Sequence, residues 1–333
     1  MPPPLKLVFM GSDPIALPAL EWLAGPGSGI ARLLSVYTQP DRPAGRGQKI
    51  TAGSIKQWAQ ARGLAVRQPE RLAPDECAQF AALQADVALV MAYGHILNDN
   101  FISTPRLGAL NLHASLLPKY RGASPIPAAI ASGDRVTGVT LMRIVRRLDA
   151  GPVVDAERVG IGPRETASAV EAKLADACVP LLARALPRLS EGSLVFVPQE
   201  EAQATYCRRL TKEDGRLDFK APAAVLAARI NGLFPWPGCT VEIQGVAVRL
   251  GSADVAAGSL RNAAAGTVLG ADAEGLLVLT GEGILRLRAL QRPGGRLMPT
   301  SEFLRGFPVA AGTSLPSQSM SPLVSAVPFR SSG

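Results

Sequence analysis

Histidine, cysteine and aromatic residues are scarce in this sequence. Its 333 residues include two histidines and four cysteines, and aromatic residues make up 5%. The cysteines stand far apart, without a CxxC pair or a Cys/His cluster, at Cys77, Cys178, Cys207 and Cys239. That spacing excludes a zinc finger and a disulfide-stapled fold, since both need closely grouped partners. We therefore expect buried thiols in a reducing compartment and no bound metal.

Long apolar runs and nucleotide-binding signatures are also missing. No segment approaches the roughly 20 apolar residues that cross a bilayer, and the apolar run in MPPPLKLVFM is too short for a signal peptide. We therefore expect a cytoplasmic protein. Neither GxxxxGK[ST] nor GxGxxG occurs, so a P-loop and a dinucleotide site have no support. The absence of a GxSxG elbow and of a readable Cys/His pairing argues against covalent catalysis.

The composition is that of a globular enzyme. Hydrophobic residues make up 47% and charged residues 19%, with a mean hydropathy of +0.17. The length predicts about two domains. A net charge of +8 and a pI of about 9.7 fit an anionic partner such as nucleic acid, or a charge that serves only solubility. Charge alone leaves both open.

The first half alternates short apolar runs with helix-like stretches. Apolar strand candidates occupy residues 5–10, 32–38, 64–69, 86–94, 107–113 and 137–144, with helices over 14–23 and 54–62. This alternation predicts an α/β domain with a parallel sheet covered on both faces, over residues 1–189. Ligands of such sheets bind beyond the carboxyl ends of the strands.

The second half has a different texture. Residues 190–208 are extended and lack helical periodicity, as expected of a linker. Residues 209–312 give short strands with glycine-rich turns, which predict a small antiparallel barrel. Residues 313–333 are rich in serine and proline, which predicts a disordered tail.

Three residues could carry chemistry. Asn111 and His113 stand two apart at a strand end, so their side chains project from the same face and could aim two donors at an oxyanion. Asp149, after the next strand, could orient the imidazole. A lone histidine at a strand end is more often structural, and the pattern leaves that interpretation ahead. The other histidine, His95, has no acidic neighbour in sequence and is expected to be structural.

One longer motif identifies a family. LGALNLHASLLPKYRGASPI resembles the signature of folate-dependent formyltransferases, Asn-x-His-x-Ser-x-Leu-Pro followed by Arg-Gly. The stretches VFMGSDPIALPAL, VYTQPDRPAGRGQK, LDAG, TYCRRLTKEDGRLDF and FPWPG extend the similarity over roughly residues 5–310. The resemblance implies a catalytic domain with a Rossmann-like sheet and a C-terminal OB-like barrel. It also implies 10-formyltetrahydrofolate as formyl donor and the α-amino group of methionyl-initiator tRNA as acceptor.

The resemblance also implies site residues. Asn111, His113 and Asp149 match the catalytic trio. Folate would contact Ser115, Leu116, Leu117 and Pro118, together with Tyr93 and Gly94. The tRNA would contact the basic loop of Arg42, Arg46 and Lys49, and Arg209. Without the resemblance, that loop is more often a plain solvated surface than a clamp for phosphates or an RNA end. A monomer is expected.

Two positions depart from the family pattern. Val145 and Arg147 stand where an aspartate and a glycine are usual, just before Asp149. Glycine tolerates backbone angles that arginine does not, so a different path is expected for the folate loop. Ser12-Asp13 replaces a common Thr-Pro, which is a mild change.

Three alternatives stay open. The same chemistry could act on glycinamide ribonucleotide or an amino sugar nucleotide, or could hydrolyse the formyl donor. The second domain argues against the ribonucleotide enzyme, which should end near residue 200. An RNA-binding protein without catalysis is the alternative from another class, favoured by the changes at Val145 and Arg147 and opposed by the complete Asn/His/Asp set.

Overall fold

The computed structural model describes residues 3–44, 49–258 and 263–329. The chain divides into two compact units. The first comprises Met1–Arg121, Gly138–Val159 and Ala172–Ala204, and the second comprises Gly122–Thr137, Gly160–Glu171 and Thr205–Gly333.

The described elements follow one another along the chain as follows. The strands are β1 Leu5–Gly11, β2 Ala31–Tyr37, β3 Arg42–Ala44, β4 Lys49–Thr51, β5 Ala65–Arg67, β6 Val87–Met91, β7 Ala109–His113, β8 Arg121–Gly122, β9 Val136–Arg143, β10 Val153–Gly160, β11 Tyr206–Cys207, β12 Cys239–Ile243, β13 Val246–Ala256, β14 Val268–Ala271, β15 Leu276–Leu279, β16 Ile284–Gln291, β17 Met298–Pro299 and β18 Val324–Ser325. The α-helices are α1 Leu17–Ala24, α2 Ser54–Gln60, α3 Pro74–Ala82, α4 Asp99–Ser103, α5 Pro125–Ala131, α6 Ala167–Ser190, α7 Ala223–Leu233 and α8 Thr300–Gly306. None of the helices in the described ranges is long and apolar enough to cross a membrane.

A seven-stranded sheet, in the order β10-β9-β7-β6-β1-β2-β5, organises the first unit. Strands β1 and β6 are almost continuously apolar and buried, as expected for central strands covered on both faces. Strands β7, β6, β1, β2 and β5 pair in parallel, whereas β9 runs antiparallel to β7. The α/β prediction is confirmed, with one refinement: the sheet is mixed, because an antiparallel strand joins its parallel centre.

The parallel centre brings several strand ends to one edge. Gly11 at the end of β1 pairs with Met91 at the end of β6, and Val90 pairs with Asn111 of β7. Strand order reverses on either side of β1, which has β2 on one side and β6 on the other. Such a reversal is where ligands bind in open α/β sheets.

The second unit is built on an antiparallel sheet. Its strands lie in the order β12-β13-β16-β15-β14, with β17 added beside β16. The helix α7 packs on α5, and the close approach depends on Gly232, where a Cβ would lie 2.7 Å from the backbone nitrogen of Ala131. The predicted antiparallel β-domain is confirmed.

The disordered tail predicted for residues 313–333 is wrong for the residues that the structure describes up to 329. Leu315 and Leu323 are buried in the core of the second unit. The backbone nitrogen of Gln318 donates to Leu217, and β18 pairs with β11. A serine- and proline-rich composition misled the prediction, because a few well-spaced leucines suffice to hold an extended segment against a sheet.

Candidate active site

Asn111 and His113 lie at the end of β7, where alternation places both side chains on one face. Asn111 pairs with Val90 of β6 and Met142 of β9, and His113 pairs with Thr140 of β9. Asn111 is half-buried and His113 is buried. The two predicted donors therefore lie at the edge of the sheet where its ligand crevice is expected.

Both imidazole nitrogens of His113 face acceptors. Nε2 lies 2.9 Å from the carbonyl oxygen of Tyr120. A carbonyl only accepts, so Nε2 carries a proton. Nδ1 lies 3.7 Å from Oδ2 of Asp149, and the two side chains are 7% and 13% exposed. An acceptor thus faces each ring nitrogen of His113, and Asp149 lies where a carboxylate could orient the imidazole.

The loop that carries Asp149 has a constrained backbone. Non-glycine residues with positive φ, among those described, are Gln84, Ala92, Tyr120, Asp149 and Gln244. Asp149 itself has φ of +47°. At Gly151 a Cβ would lie 1.8 Å from the carbonyl oxygen of Arg143, so the Asp-Ala-Gly turn requires glycine there. Arg147 is not in the positive-φ set, so the backbone reason for expecting a changed loop path does not hold.

Side chains from residues 199–201 tie this loop down. Gln199 Nε2 donates to the carbonyl oxygens of Asp149 and Gly151, at 2.8 and 2.7 Å. Its Oε1 accepts from the guanidinium of Arg121, which is fully buried. The sequence analysis missed Gln199 because it lies 50 residues beyond Asp149 in an extended segment without a recognisable motif.

The side chain of Thr140 stabilises the predicted folate loop through two hydrogen bonds to its backbone. The Thr140 hydroxyl donates to the Ser115 carbonyl oxygen at 2.6 Å and accepts from the Leu117 backbone nitrogen at 3.1 Å. The Ser115 hydroxyl is fully buried and donates to the carbonyl oxygen of Lys119, so it shapes the loop from within. Leu116, Leu117 and Pro118 are half-buried, which leaves apolar surface for a ligand. Thr140 was not predicted, since its position on β9 indicated only a strand.

Tyr93 and Gly94, also predicted to contact folate, follow the end of β6. The Tyr93 side chain is only 2% exposed and packs in a core cluster with Tyr37, Phe80 and Phe101. Its carbonyl oxygen accepts hydrogen bonds from the side chains of Ser12 and Gln39. Gly94 is exposed and has φ of +81°. The Tyr93 ring is therefore too buried to contact a ligand, and at this position a ligand could reach only the exposed backbone next to it, at Gly94.

The residues predicted to bind tRNA lie in both units. Arg42 is exposed in β3, which pairs with β4, and its guanidinium donates to Gln39 Oε1. Lys49 begins β4, while Arg46 lies outside the described residues. Arg209 is exposed in the second unit. The described part of the basic loop is thus a hairpin.

The cysteines are thiols without disulfide bonds, and Cys178, Cys207 and Cys239 are buried. Burial raises the pKa of the Cys178 and Cys239 thiols to about 12, so both stay protonated at neutral pH. In the described ranges, no group of three or more His, Cys, Asp or Glu side chains could hold a metal ion.

Comparison with known families finds two matching patterns. The family described as "Formyl transferase" matches residues 6–186, and "Formyl transferase, C-terminal domain" matches residues 209–308. The methionyl-tRNA formyltransferase of Gluconobacter oxydans is 42% identical over 313 residues, which cover 93% of this chain and 100% of that protein. The methionyl-tRNA formyltransferase of Aromatoleum aromaticum is also 42% identical, over 93% of this chain and 96% of that protein.

Solved structures share the fold at much lower identity. An N-formyltransferase from Helicobacter canadensis, solved with folinic acid and dTDP-3-aminofucose, superposes with a TM-score of 0.64 at 17% identity, covering 85% of this chain and 98% of that one. A variant of HypX from Aquifex aeolicus gives a TM-score of 0.59 at 17% identity, covering 92% of this chain and 49% of that one. With two family patterns and close relatives over nearly the whole length, the chain belongs to the formyl transferase family, among its methionyl-tRNA formyltransferases.

Proposed function

We propose that this enzyme transfers the formyl group of 10-formyltetrahydrofolate to the α-amino group of methionyl-initiator tRNA, for translation initiation, and that Asn111, His113 and Asp149 carry the reaction. The observation that carries the residue assignment is the approach of Asp149 Oδ2 to within 3.7 Å of Nδ1 of His113, which lies on the same strand end as Asn111. Relatives that cover 93% of the chain support the choice of acceptor.

The donors at the end of β7 fit the charge that develops in acyl transfer. When the amine attacks the formyl carbon, the carbonyl oxygen becomes an oxyanion that two fixed donors can stabilise. The Asn111 amide supplies one N–H. His113 supplies the other from Nδ1, because Nε2 already donates to Tyr120. The 3.7 Å between Nδ1 and Asp149 is longer than a hydrogen bond, so the Nδ1–H can donate to a substrate oxygen or a water molecule placed along it.

Asp149 balances the charge and the protons. Its carboxylate faces Nδ1 of His113 in a site where both side chains are largely buried, so its negative charge lies beside the imidazole. As the new C–N bond forms, the amine loses a proton; as the bond from the formyl carbon to N10 of the folate breaks, N10 gains one. We assign Asp149 to accept the amine proton through a water molecule and to return a proton by the same route to N10, while His113 holds the intermediate.

The substrate surfaces follow from the same assignment. The half-buried Leu116, Leu117 and Pro118 would contact the folate. The tRNA phosphates would contact Arg42, Arg46 and Lys49 of the basic loop, together with Arg209. In this assignment the catalytic domain comprises residues 1–189 and the C-terminal domain comprises residues 209–312. We further propose that the protein is cytoplasmic and that it is a monomer. Light scattering of the purified protein tests the oligomeric state.

An acceptor comparison tests the function. The purified protein is incubated with 10-formyltetrahydrofolate and one of four acceptors: methionyl-initiator tRNA, glycinamide ribonucleotide, an amino sugar nucleotide, or water alone. We expect formyl transfer to methionyl-tRNA only. Donor turnover without tRNA would contradict the proposal, as would transfer to either small amine. Binding of tRNA without any product would indicate an RNA-binding protein.

The basic loop has its own test. Arg42→Ala should raise the KM for tRNA and leave the KM for folate unchanged. It should also reduce the slope of the logarithm of the tRNA-binding constant against the logarithm of salt concentration by about 1, as expected for the loss of one phosphate contact. Arg32→Ala is the matched control, since Arg32 is also exposed but lies at the amino-terminal end of β2. A change in folate KM alone would refute the placement of this loop.

A further inference from the structure

Asp149 depends on neighbours far along the chain for its place. It has a left-handed backbone, with φ of +47°, which a non-glycine residue adopts at a cost in conformational energy. The carbonyl groups of Asp149 and Gly151 both accept from one nitrogen, Nε2 of Gln199. An amide nitrogen has two hydrogens, so both are used on this turn. Gln199 therefore binds the backbone on either side of Ala150 through two hydrogen bonds.

The carboxamide of Gln199 has only one workable orientation. Its Oε1 accepts from Nε and Nη2 of Arg121, at 3.1 and 2.8 Å. Arg121 is fully buried, so its guanidinium needs acceptors. Exchanging the oxygen and nitrogen of the amide would set donors against the guanidinium and an acceptor against two carbonyl groups. The pattern thus fixes which end of Gln199 meets the Asp149 turn.

Glu201 holds Arg121 from the other side and reaches the same loop. Its carboxylate accepts from Arg121 at 2.8 and 3.1 Å and from Arg147 at 2.5 Å. These bonds, the one to Arg121 foremost, hold the pKa of the Glu201 carboxyl below its usual value. The residues 199–201 therefore contact the loop twice, through its backbone at Asp149 and through the side chain of Arg147.

We propose that Gln199 is a positioning residue for formyl transfer: it sets the Asp149 turn against His113, and Arg121 and Glu201 set Gln199. The inference rests on the proposed function, since it requires Asp149 to act in the reaction. The distance of 3.7 Å between Asp149 and His113 is sensitive to a small shift of this turn. A displacement of about 1 Å in an active site can lower the rate roughly 100-fold.

Two substitutions separate the two ends of the carboxamide. Gln199→Ala removes both sets of hydrogen bonds, whereas Gln199→Glu keeps an acceptor for Arg121 but removes the donor to the turn. We expect either change to lower kcat roughly 10- to 100-fold and to leave both KM values within about threefold. Gln203→Ala, four residues further on and exposed, is the matched control and should retain wild-type kcat.

A double-mutant cycle with Asp149→Ala distinguishes positioning from general stability. If Gln199 acts through Asp149, Gln199→Glu should cause no further loss in the Asp149→Ala protein, measured by single-turnover formylation of methionyl-tRNA with excess enzyme. An equal loss in both backgrounds would overturn the inference, as would wild-type kcat in Gln199→Glu. Full activity of Asp149→Ala would instead overturn the proposed role of Asp149. The two failures are therefore separable, and the Glu variant keeps the test valid if the Ala variant does not fold.

Discussion

The two halves of the candidate site are supported by different means. Asn111 and His113 lie on β7, whose main chain is paired with β6 on one side and β9 on the other. Asp149 lies on a turn with positive φ that is fastened by the side chains of Gln199 and, through Glu201, of Arg121. One half is held by ladders of backbone hydrogen bonds and the other by a few side chains.

This difference has a consequence for substitutions. Replacing a side chain on β7 removes a chemical group but leaves its support intact, because the backbone ladder does not depend on it. Replacing a side chain near the Asp149 turn removes support while leaving the chemical groups in place. Losses in the first half should therefore be large and confined to kcat, and losses in the second half smaller and graded.

The largest effect is expected for His113→Ala. It removes the donor assigned to the oxyanion, so kcat should fall roughly 10²- to 10⁴-fold, while tRNA binding measured by filter retention stays near wild type. His95→Ala is the matched control, because it changes the other histidine and should keep kcat within about twofold. Near-normal turnover by His113→Ala would refute the role of the strand-held half, by which we mean Asn111 and His113 on β7.

Sequence patterns predict the strand-held half better than the loop-held half, by which we mean the Asp149 turn and the side chains that support it. A period of two is enough to place Asn111 and His113 on one face, and the apolar runs predict six of the seven strands of the sheet within a few residues but miss β10. The order of strands, and the antiparallel insertion of β9, depend on packing that no local pattern encodes. The same holds for Gln199, which reaches Asp149 only after the chain has folded back across 50 residues.

Thr140→Val tests a position that combines both kinds of support. Thr140 lies on β9, but its hydroxyl links the backbone of Ser115 to that of Leu117 in the predicted folate loop. Valine keeps the shape and leaves two buried backbone groups without partners, so the free energy of unfolding should fall by about 1–3 kcal/mol. Denaturant unfolding measures this, and steady-state kinetics should show a higher KM for folate. An unchanged folate KM would indicate that this loop does not contact the donor.

Glu201→Gln probes the loop-held half by pH. The bonds from Arg121 and then Arg147 lower the pKa of Glu201 from its ordinary value of 4.5. A carboxyl with a lowered pKa stabilises the fold above its unfolded-state pKa, and that contribution is lost as pH falls through the folded-state pKa. The variant should thus be less stable than wild type at pH 7, and the difference should shrink below about pH 4.5. Thermal unfolding between pH 3 and 7 measures it; a difference independent of pH would contradict the ion-pair explanation.

The smallest effect is expected for Arg147→Gly, which introduces the residue usual in the family at this position. Arg147 is 62% exposed and Glu201 is 47% exposed, so solvent screens their ion pair and it should contribute little to the free energy of unfolding. Because Gln199 still holds the turn and Arg121 still holds Glu201, kcat should also change less than about threefold. Steady-state kinetics at two salt concentrations measure this. A loss above tenfold would mean that Arg147 contacts a substrate directly, and that the loop-held half contributes binding as well as position.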